Sequence, residues 1–222
     1  MDKGNKAQNL EKMLVQLLDN KILPEGSYLA GGTALYYYLH HRLSIDLDFF
    51  VPKPFNSEVL VFNMRERFEK VDLELMEKDT LIVFLSAKKL KFSLFYLPYS
   101  LLSPLTSYKI RSGVICPLAS FDDIEAMKAI SLVQRGSAKD FIDLYYLLKQ
   151  TQHSFEDIAL RVQRKYKVDE KYSYHLKTAM VYFDDAEKEL DGILLVDKAA
   201  RIRNISKNEW KETKEFFVRF CR

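Results

Sequence analysis

Cysteine is scarce in this chain, and its two copies, Cys116 and Cys221, lie far apart in the sequence. Such a pair forms neither a disulfide framework nor the ligand spacing of a zinc site, which is typical of a protein from a reducing cytosol. The chain also lacks the run of roughly 20 apolar residues that a membrane helix requires, and residues 1–12 lack the apolar core of a signal peptide. We therefore expect a soluble, cytoplasmic protein with no membrane partner.

The chain also has no large excess of one charge sign. It contains 34 lysines and arginines and 31 aspartates and glutamates, which gives a net charge of +3. This mild balance permits an anionic substrate but does not by itself indicate a nucleic-acid partner. Hydrophobic residues make up 48% of the 222 positions, which is ample for a globular core in one large domain or two small ones.

The period of the hydrophobic pattern changes once along the chain. In the first half, helices are predicted to alternate with strands, and the strand patterns lie at 28–30, 45–51, 71–76, 81–86 and 90–96. Residues 98–112 are predicted to form a loop. From residue 120 onward the pattern is helical only, at 121–134, 137–150, 154–166, 171–190 and 206–221. We therefore expect an α/β domain over residues 1–117 and a helical domain over residues 118–222.

The most informative segment is residues 29–50, LAGGTALYYYLHHRLSIDLDFF. Gly31 and Gly32 have no Cβ, so the backbone there can approach a ligand closely. Thr33 is suited to cap the helix that follows, and the first N–H groups of that helix would point toward a bound anion such as a triphosphate. A Gly-Gly pair before a helix is more commonly a simple tight turn. The pair therefore indicates a binding site only together with the residues that follow it.

Two carboxylates, Asp46 and Asp48, lie two residues apart on a predicted strand. Alternation along a strand places both on one face, with Cα atoms roughly 6.6 Å apart, while apolar Leu47 and Phe49 face the other way. An isolated Asp-x-Asp is usually a solvated face. Here, however, two like charges would share a surface and need a cation to offset them. The pair therefore predicts a metal site, and Mg²⁺ bound through carboxylates and phosphates suits nucleotide chemistry.

Three motifs occur along the chain in one order. Gly-Gly-Thr at 31–33 is followed after twelve residues by Asp-Leu-Asp at 46–48, then by Asp-x4-Lys at 123–128 and by a basic-acidic segment at 135–143. Together they resemble the AbiEii/AbiGii toxin branch of the polymerase-β-like nucleotidyltransferases, over matched positions 28–148. The flanking residues that narrow the resemblance to this branch are Arg42, Ser44, Phe49 and Phe50.

The resemblance implies a nucleotidyltransferase-like mixed sheet flanked by helices, followed by a C-terminal helical domain that closes over the site. It also implies transfer of a nucleoside monophosphate from a nucleoside triphosphate (NTP) to an acceptor such as RNA, tRNA or a protein, with Mg²⁺ or Mn²⁺ as cofactor. In the family this activity serves as a bacterial toxin, associated with abortive infection and neutralised by a cognate antitoxin encoded beside it.

Further site residues follow from the same resemblance. Asp46, Asp48, Lys128 and Asp143 are expected to be catalytic, with Lys128 neutralising a phosphate as a point charge. The expected nucleotide-binding residues are Gly31, Gly32, Thr33, Arg42, Lys128, Arg135, Lys139 and Asp140. Plainer roles are open for several of them. Lys128 could be an exposed helical lysine, Asp140 a helix cap near Ser137, and Arg135 or Lys139 a surface charge.

The chain departs at one position from the enzymes that it resembles. Polymerase-β-like enzymes use a third carboxylate on a later strand, and the matching strand here, 91–95, has Ser93 where that acid is expected. The acceptor then lacks an assigned base. Asp143 could supply it, or catalysis could rest on positioning and metal charge alone, which phosphoryl chemistry tolerates.

Two alternatives to this function stay open. The fold could be catalytically idle and act as a nucleotide- or partner-binding protein, which Ser93 favours and the retained aspartate pair disfavours. The acceptor could also be a small molecule. An RNA acceptor instead predicts a basic surface, for which the candidates are Arg161, Arg164, Lys165, Lys167, Lys198, Arg201, Arg203 and Lys207.

Overall fold

The structure is a computed structural model that describes residues 3–86, 90–110, 113–197 and 199–222. The chain forms two compact units. The first contains residues 1–34, 44–100 and 105–119, and the second contains residues 35–43, 101–104 and 120–222. The second unit thus includes two short segments that the sequence analysis assigned to the first domain. None of the described helices is both long and apolar enough to span a membrane.

The first unit is built on a seven-stranded mixed sheet. In spatial order the strands are β3 (Val71–Glu77), β4 (Thr80–Leu85), β5 (Leu90–Tyr96), β2 (Leu47–Val51), β1 (Tyr28–Leu29), β7 (Ile115–Leu118) and β6 (Thr106–Lys109). The β2/β5 and β1/β7 pairs are parallel, and the other neighbours are antiparallel. The helices α1 (Lys3–Asp19) and α3 (Ser57–Arg65) belong to the same unit, and α2 (Gly31–Leu39) begins in it.

Strand β2 shows why this sequence forms a sheet with two unlike faces. Leu47, Phe49 and Val51 are fully buried, whereas Asp48 and Phe50 between them are only half-buried. The alternation matches the two-residue period of a strand. Burial of the apolar face fixes the register, because a slip by one residue would turn Asp48 into the core.

The second unit is mainly helical. It contains α4 (Phe121–Gln134), α5 (Ala138–Thr151), α6 (Phe155–Tyr166), α7 (Tyr172–Met180), α8 (Asp184–Glu187) and α9 (Lys207–Phe220), with a hairpin of β8 (Leu194–Val196) and β9 (Ile202–Asn204). Phe141 lies at the centre of its core and contacts Trp210 and Phe217 edge-on, with centroids 5.9 and 5.4 Å away. Serine side chains at 120, 154 and 206 cap α4, α6 and α9.

The predicted fold class is confirmed: a mixed sheet flanked by helices is followed by a helical C-terminal part. Three details were predicted wrongly, and one of them is β7, for which no strand was predicted. The expected loop at 98–112 contains β6, and the helix expected at 171–190 is broken at 181–183 and followed by a strand hairpin. Strands of three or four residues are too short to show alternation, and a Val-Tyr-Phe run has low helix propensity.

Candidate functional site

The start of α2 brings the backbone against the Asp48 side chain. Gly31 has a φ of +66°, a left-handed conformation that glycine adopts without steric cost. A Cβ added to Gly31 would lie 3.4 Å from Oδ2 of Asp48. The first N–H groups of α2, at Gly31, Gly32 and Thr33, have no partners within the helix. N–H groups without a partner in the helix and a carboxylate thus lie close together in the first unit.

Thr33 is held by the segment that carries Asp46. Its side chain is 1% exposed, and its Oγ1 lies 2.5 Å from the carbonyl oxygen of Asp46 and 2.9 Å from Oγ of Ser44. Because a carbonyl only accepts, the single proton of Thr33 goes to Asp46, and the Ser44 hydroxyl must donate to Thr33. The Thr33 hydroxyl therefore positions Asp46, which leaves its backbone N–H as the group for a ligand.

The two aspartates of the predicted metal site are both half-buried, but only Asp48 lies within β2. Asp46 lies one residue before the strand begins. Leu47 separates them and is fully buried. The placement of both carboxylates on one face stays a prediction that rests on the alternation along the chain.

Ser93 lies directly beside Asp48. The parallel register of β2 and β5 pairs the two residues, and antiparallel β4 pairs Ile82 with Ser93 on the other side. Ser93 is 1% exposed, and its Oγ has no hydrogen-bond partner among the residues that the structure describes. The position at which a third carboxylate was expected is therefore next to Asp48, and it holds a buried hydroxyl instead.

The second unit contains a buried charge network centred on Asp143. Its carboxylate accepts from Nε and Nη2 of Arg42 at 2.6 and 2.7 Å, from Nε2 of His41 at 2.7 Å and from Nζ of Lys128 at 2.6 Å. Burial disfavours the charged form of Asp143, but Arg42 and Lys128 hold its pKa well below the ordinary value. Asp143 is thus a fully buried, ionised carboxylate. Its two oxygens already accept four hydrogen bonds or ion-pair contacts from N–H groups.

Asp140 extends this network by one turn of α5. It accepts from Nζ of Lys128 at 2.9 Å and from Nε of Arg135 at 2.7 Å. Burial would raise the pKa of Asp140, yet the nearby cations lower it below its ordinary value. Asp140 does not cap the helix, because Glu189 accepts from the N–H of Ala138 at that end. The alternative role of Asp140 as a cap is therefore not observed.

The cations of the motif differ in exposure. Lys128 is buried, so it is not an exposed helical lysine, which was the alternative role. Burial alone would lower the pKa of Lys128, but the charges of Asp143 and Asp140 outweigh burial and raise this pKa above its ordinary value. Arg135 keeps 63% of its side chain exposed while it contacts Asp140. Lys139 is exposed. Arg135 and Lys139 are therefore the groups of this set that an anion in solution can reach.

His41 is the network member that the sequence did not reveal. Because Asp143 is ionised, Nε2 of His41 must donate to it, and Nδ1 is left without a partner in the described part of the chain. Burial lowers the pKa of His41, which favours the neutral ring. His41 directly precedes Arg42, and no sequence pattern links either residue to Asp143, which lies about one hundred positions later.

Several residues expected on a basic surface are engaged elsewhere. Lys165 is fully buried and contacts Asp123 at 2.7 Å, so its assignment to a surface was wrong. Arg161 contacts Asp122, and the exposed pairs Arg201–Asp197 and Arg203–Glu209 are also formed. Arg164, Lys167 and Lys207 are exposed. Lys198 lies outside the described residues.

A second group of possible metal ligands lies in the second unit. Donor atoms of Asp122, Glu125 and His153 are within 4.8 Å of one another. However, Arg161 lies among them, 2.8 Å from Asp122 and 3.2 Å from Nε2 of His153. An arginine always donates, so His153 uses its Nδ1–H toward Glu125 at 3.0 Å. Arg161 thus supplies the positive charge that a metal would otherwise bring.

Comparisons with known proteins identify the family of this chain. A family model described as "Nucleotidyl transferase AbiEii toxin, Type IV TA system" matches residues 12–220. An uncharacterized protein of Aquifex aeolicus (strain VF5) is 35% identical over 196 residues, covering 86% of this chain and 84% of its own.

Two solved structures share the fold. The nucleotidyltransferase toxin MenT4 of Mycobacterium tuberculosis H37Rv has a TM-score of 0.58 at 14% identity, covering 97% of this chain and 84% of its own. JHP933 of Helicobacter pylori has a TM-score of 0.51 at 20% identity, covering 86% and 97%. The match of the family model to nearly the whole chain shows that this protein belongs to the AbiEii nucleotidyltransferase toxin family.

Proposed function

We propose that the protein transfers a nucleoside monophosphate from an NTP to an acceptor, with Mg²⁺ or Mn²⁺ bound by Asp46 and Asp48. The observation that carries the proposal is the approach of Gly31 to Oδ2 of Asp48, which a Cβ on Gly31 would contact at 3.4 Å. Helix N–H donors and a carboxylate in one place suit a metal–triphosphate complex, which presents oxygen ligands and negative charge together.

The residues fit a divalent cation. Asp46 and Asp48 offer carboxylate oxygens, the donor type that Mg²⁺ prefers, and the unpaired Oγ of Ser93 lies beside Asp48. When bound, the metal supplies positive charge that offsets the charge developing on the α-phosphate. The chain's own contribution is to orient the triphosphate with the N–H groups of Gly31, Gly32 and Thr33, and to fix Asp46 through the Thr33 hydroxyl.

In the second unit, we assign phosphate contacts to the exposed Arg135 and Lys139, whereas Lys128, which is buried between Asp140 and Asp143, holds this network together. We assign positioning roles to Asp140 and Asp143, because their oxygens already accept from the surrounding cations. Arg42 is held by two hydrogen bonds to Asp143 and belongs with these positioning residues. Asp143 is thus poorly suited to be a general base, since its pKa is held low and its oxygens are occupied. We propose catalysis by positioning and electrostatics.

The biological role that we propose is that of a toxin acting in the cytoplasm, with RNA, tRNA or a protein as acceptor and a cognate antitoxin as partner. The second candidate is a catalytically idle protein that binds a nucleotide or a partner. It is favoured by Ser93, which leaves no carboxylate at the position beside Asp48.

One experiment separates these functions. The purified protein is incubated with each α-³²P-labelled NTP, Mg²⁺ and either total RNA or a protein extract, and label in macromolecules is measured after gel separation. We expect label in one acceptor class, dependent on the metal and lost with EDTA. Nucleotide binding by calorimetry without any labelled acceptor would support the idle protein instead.

A further inference from the structure

Strand β5 presents two side chains on the face of Asp48. Ser93 pairs with Asp48 across the parallel strands, and Lys91 precedes Ser93 by two residues. The period of a strand therefore places Lys91 and Ser93 on the same face. Phe92 and Leu94 point the other way and are fully buried, which fixes this orientation.

Lys91 is half-buried, and no hydrogen bond or ion pair reaches it from the described residues. In this respect Lys91 differs from the buried cations of the second unit, because Arg42, Lys128 and Lys165 each contact a carboxylate. A lysine that loses part of its exposure usually pairs with a carboxylate, and Lys91 has no such pair among the described residues. The ammonium of Lys91 is therefore available to an anion that arrives with a ligand.

The distance to the aspartate site suits a lysine. Adjacent strands lie about 4.8 Å apart and two residues span about 6.6 Å, so the Cα atoms of Lys91 and Asp48 are roughly 8 Å apart. A lysine stem spans such a distance. The antiparallel neighbour of Lys91 on β4 is Phe84, whose ring offers an apolar surface for that stem.

We propose that Lys91 binds the triphosphate of the nucleotide. Its positive charge takes the place of a second metal ion, which a carboxylate at position 93 would help to bind. The inference rests on the proposed function, because it assumes that Asp46 and Asp48 hold a nucleotide-bound metal. A third carboxylate would add negative charge and support a second metal. With serine at that position, β5 presents a hydroxyl and an ammonium, and lysine serves as a point charge for phosphate.

The test measures nucleotide affinity by calorimetry, with Mg²⁺ and a non-hydrolysable NTP. Lys91→Met removes the charge and keeps an apolar stem, and Lys91→Arg keeps the charge. Lys78→Met makes the same change in the exposed turn between β3 and β4 and is the matched control. We expect Lys91→Met to weaken NTP binding by roughly tenfold to a hundredfold, Lys91→Arg to stay within a few-fold, and Lys78→Met to match the unmodified protein.

A second ligand tests where the charge acts. We place the Lys91 contact on the two phosphates that a nucleoside monophosphate lacks, so Lys91→Met should change the affinity for the monophosphate little. An equal loss for both ligands, or no loss for the NTP, would overturn the inference while the unmodified protein still bound the NTP. Failure of the unmodified protein to bind any NTP would instead reject the proposed function, and this inference with it. Lys91→Gln replaces the methionine variant if the latter does not fold.

Discussion

Lys128 joins two carboxylates of one helix: its Nζ lies 2.9 Å from Asp140 and 2.6 Å from Asp143. All three side chains are almost completely withdrawn from water. Together with Arg42 they form a balanced set of charges, in which each member keeps the others ionised. Removal of one charge from such a set leaves its partners buried without compensation, which is far more costly than loss of a surface ion pair.

The first prediction concerns Asp143. Asp143→Asn keeps the shape of the side chain but leaves Arg42 and Lys128 without their shared anion, so we expect a loss of about 3–5 kcal/mol in the free energy of unfolding. Urea denaturation measures it. Asp185→Asn is the control, because it removes the same charge from an exposed pair with Lys188, and its unfolding curve should hardly move. Equal, small effects of both variants would contradict a structural role for Asp143.

The second prediction concerns pH and His41. Burial lowers the pKa of His41 in the folded protein, whereas the unfolded chain takes up the proton near pH 6.5. Since the unfolded state then binds more protons, His41 stabilises the fold fully above about pH 6.5 and loses that contribution as the pH falls toward the folded pKa, by up to about 1.4 kcal/mol per pH unit. His41→Gln keeps a donor for Asp143 but does not titrate.

The predicted loss of stability at low pH is tested by measuring the unfolding free energies of both proteins between pH 7.5 and 5. The unmodified protein should lose stability more steeply than His41→Gln as the pH falls, and the difference between the curves isolates His41 from the other histidines. Parallel curves would show that His41 does not resist protonation in the fold.

The sheet could be predicted from the sequence where strands are long enough to alternate. In β2, buried Leu47, Phe49 and Val51 alternate with half-buried Asp48 and Phe50, so both the strand and its two faces were readable. β6 and β7, with four residues each, were missed. Their pairing depends on tertiary neighbours such as β1, which short-range periodicity does not contain.

The candidate site was predictable only in part, for a similar reason. The spacing of Asp46 and Asp48 and the position of Ser93 follow from local pattern and from resemblance. By contrast, two of the partners of Asp143, His41 and Arg42, lie about one hundred residues before it. Lys165 shows the limit most clearly, since its helix ends in charged residues and gave no sign that this lysine is buried against Asp123.

The third prediction concerns Gly31. Gly31→Ala forces an L side chain into a left-handed conformation, at a cost of roughly 1–2 kcal/mol, and brings a Cβ to 3.4 Å from Oδ2 of Asp48. We expect a lower melting temperature and weaker binding of a magnesium–NTP complex. Gly192→Ala is the control, because a Cβ there meets no atom within 4 Å. Unchanged nucleotide affinity in a folded Gly31→Ala protein would argue against a phosphate site at the start of α2.

The last prediction concerns Asp46 and tests the proposed mechanism. Asp46→Asn keeps size and shape but removes one charge from the pair with Asp48. Because metal charge contributes several kcal/mol to such reactions and each 1.36 kcal/mol is about tenfold in rate, transfer should fall by several orders of magnitude. In metal-free buffer the melting temperature should be unchanged or higher, since repulsion between the carboxylates is relieved. Mg²⁺ should no longer raise it in the presence of an NTP.

Asp79→Asn is the matched control for this comparison, because it makes the same chemical change in the exposed turn between β3 and β4 and should leave transfer intact. Purified proteins are needed, since a growth assay cannot separate lost activity from lost folding. The two outcomes lead to different functions. A folded, inactive Asp46→Asn protein that has lost its response to Mg²⁺ supports metal-dependent transfer at the aspartate pair. Transfer near the rate of the unmodified protein would exclude that mechanism, because no chemistry that depends on a metal held by Asp46 survives loss of its charge.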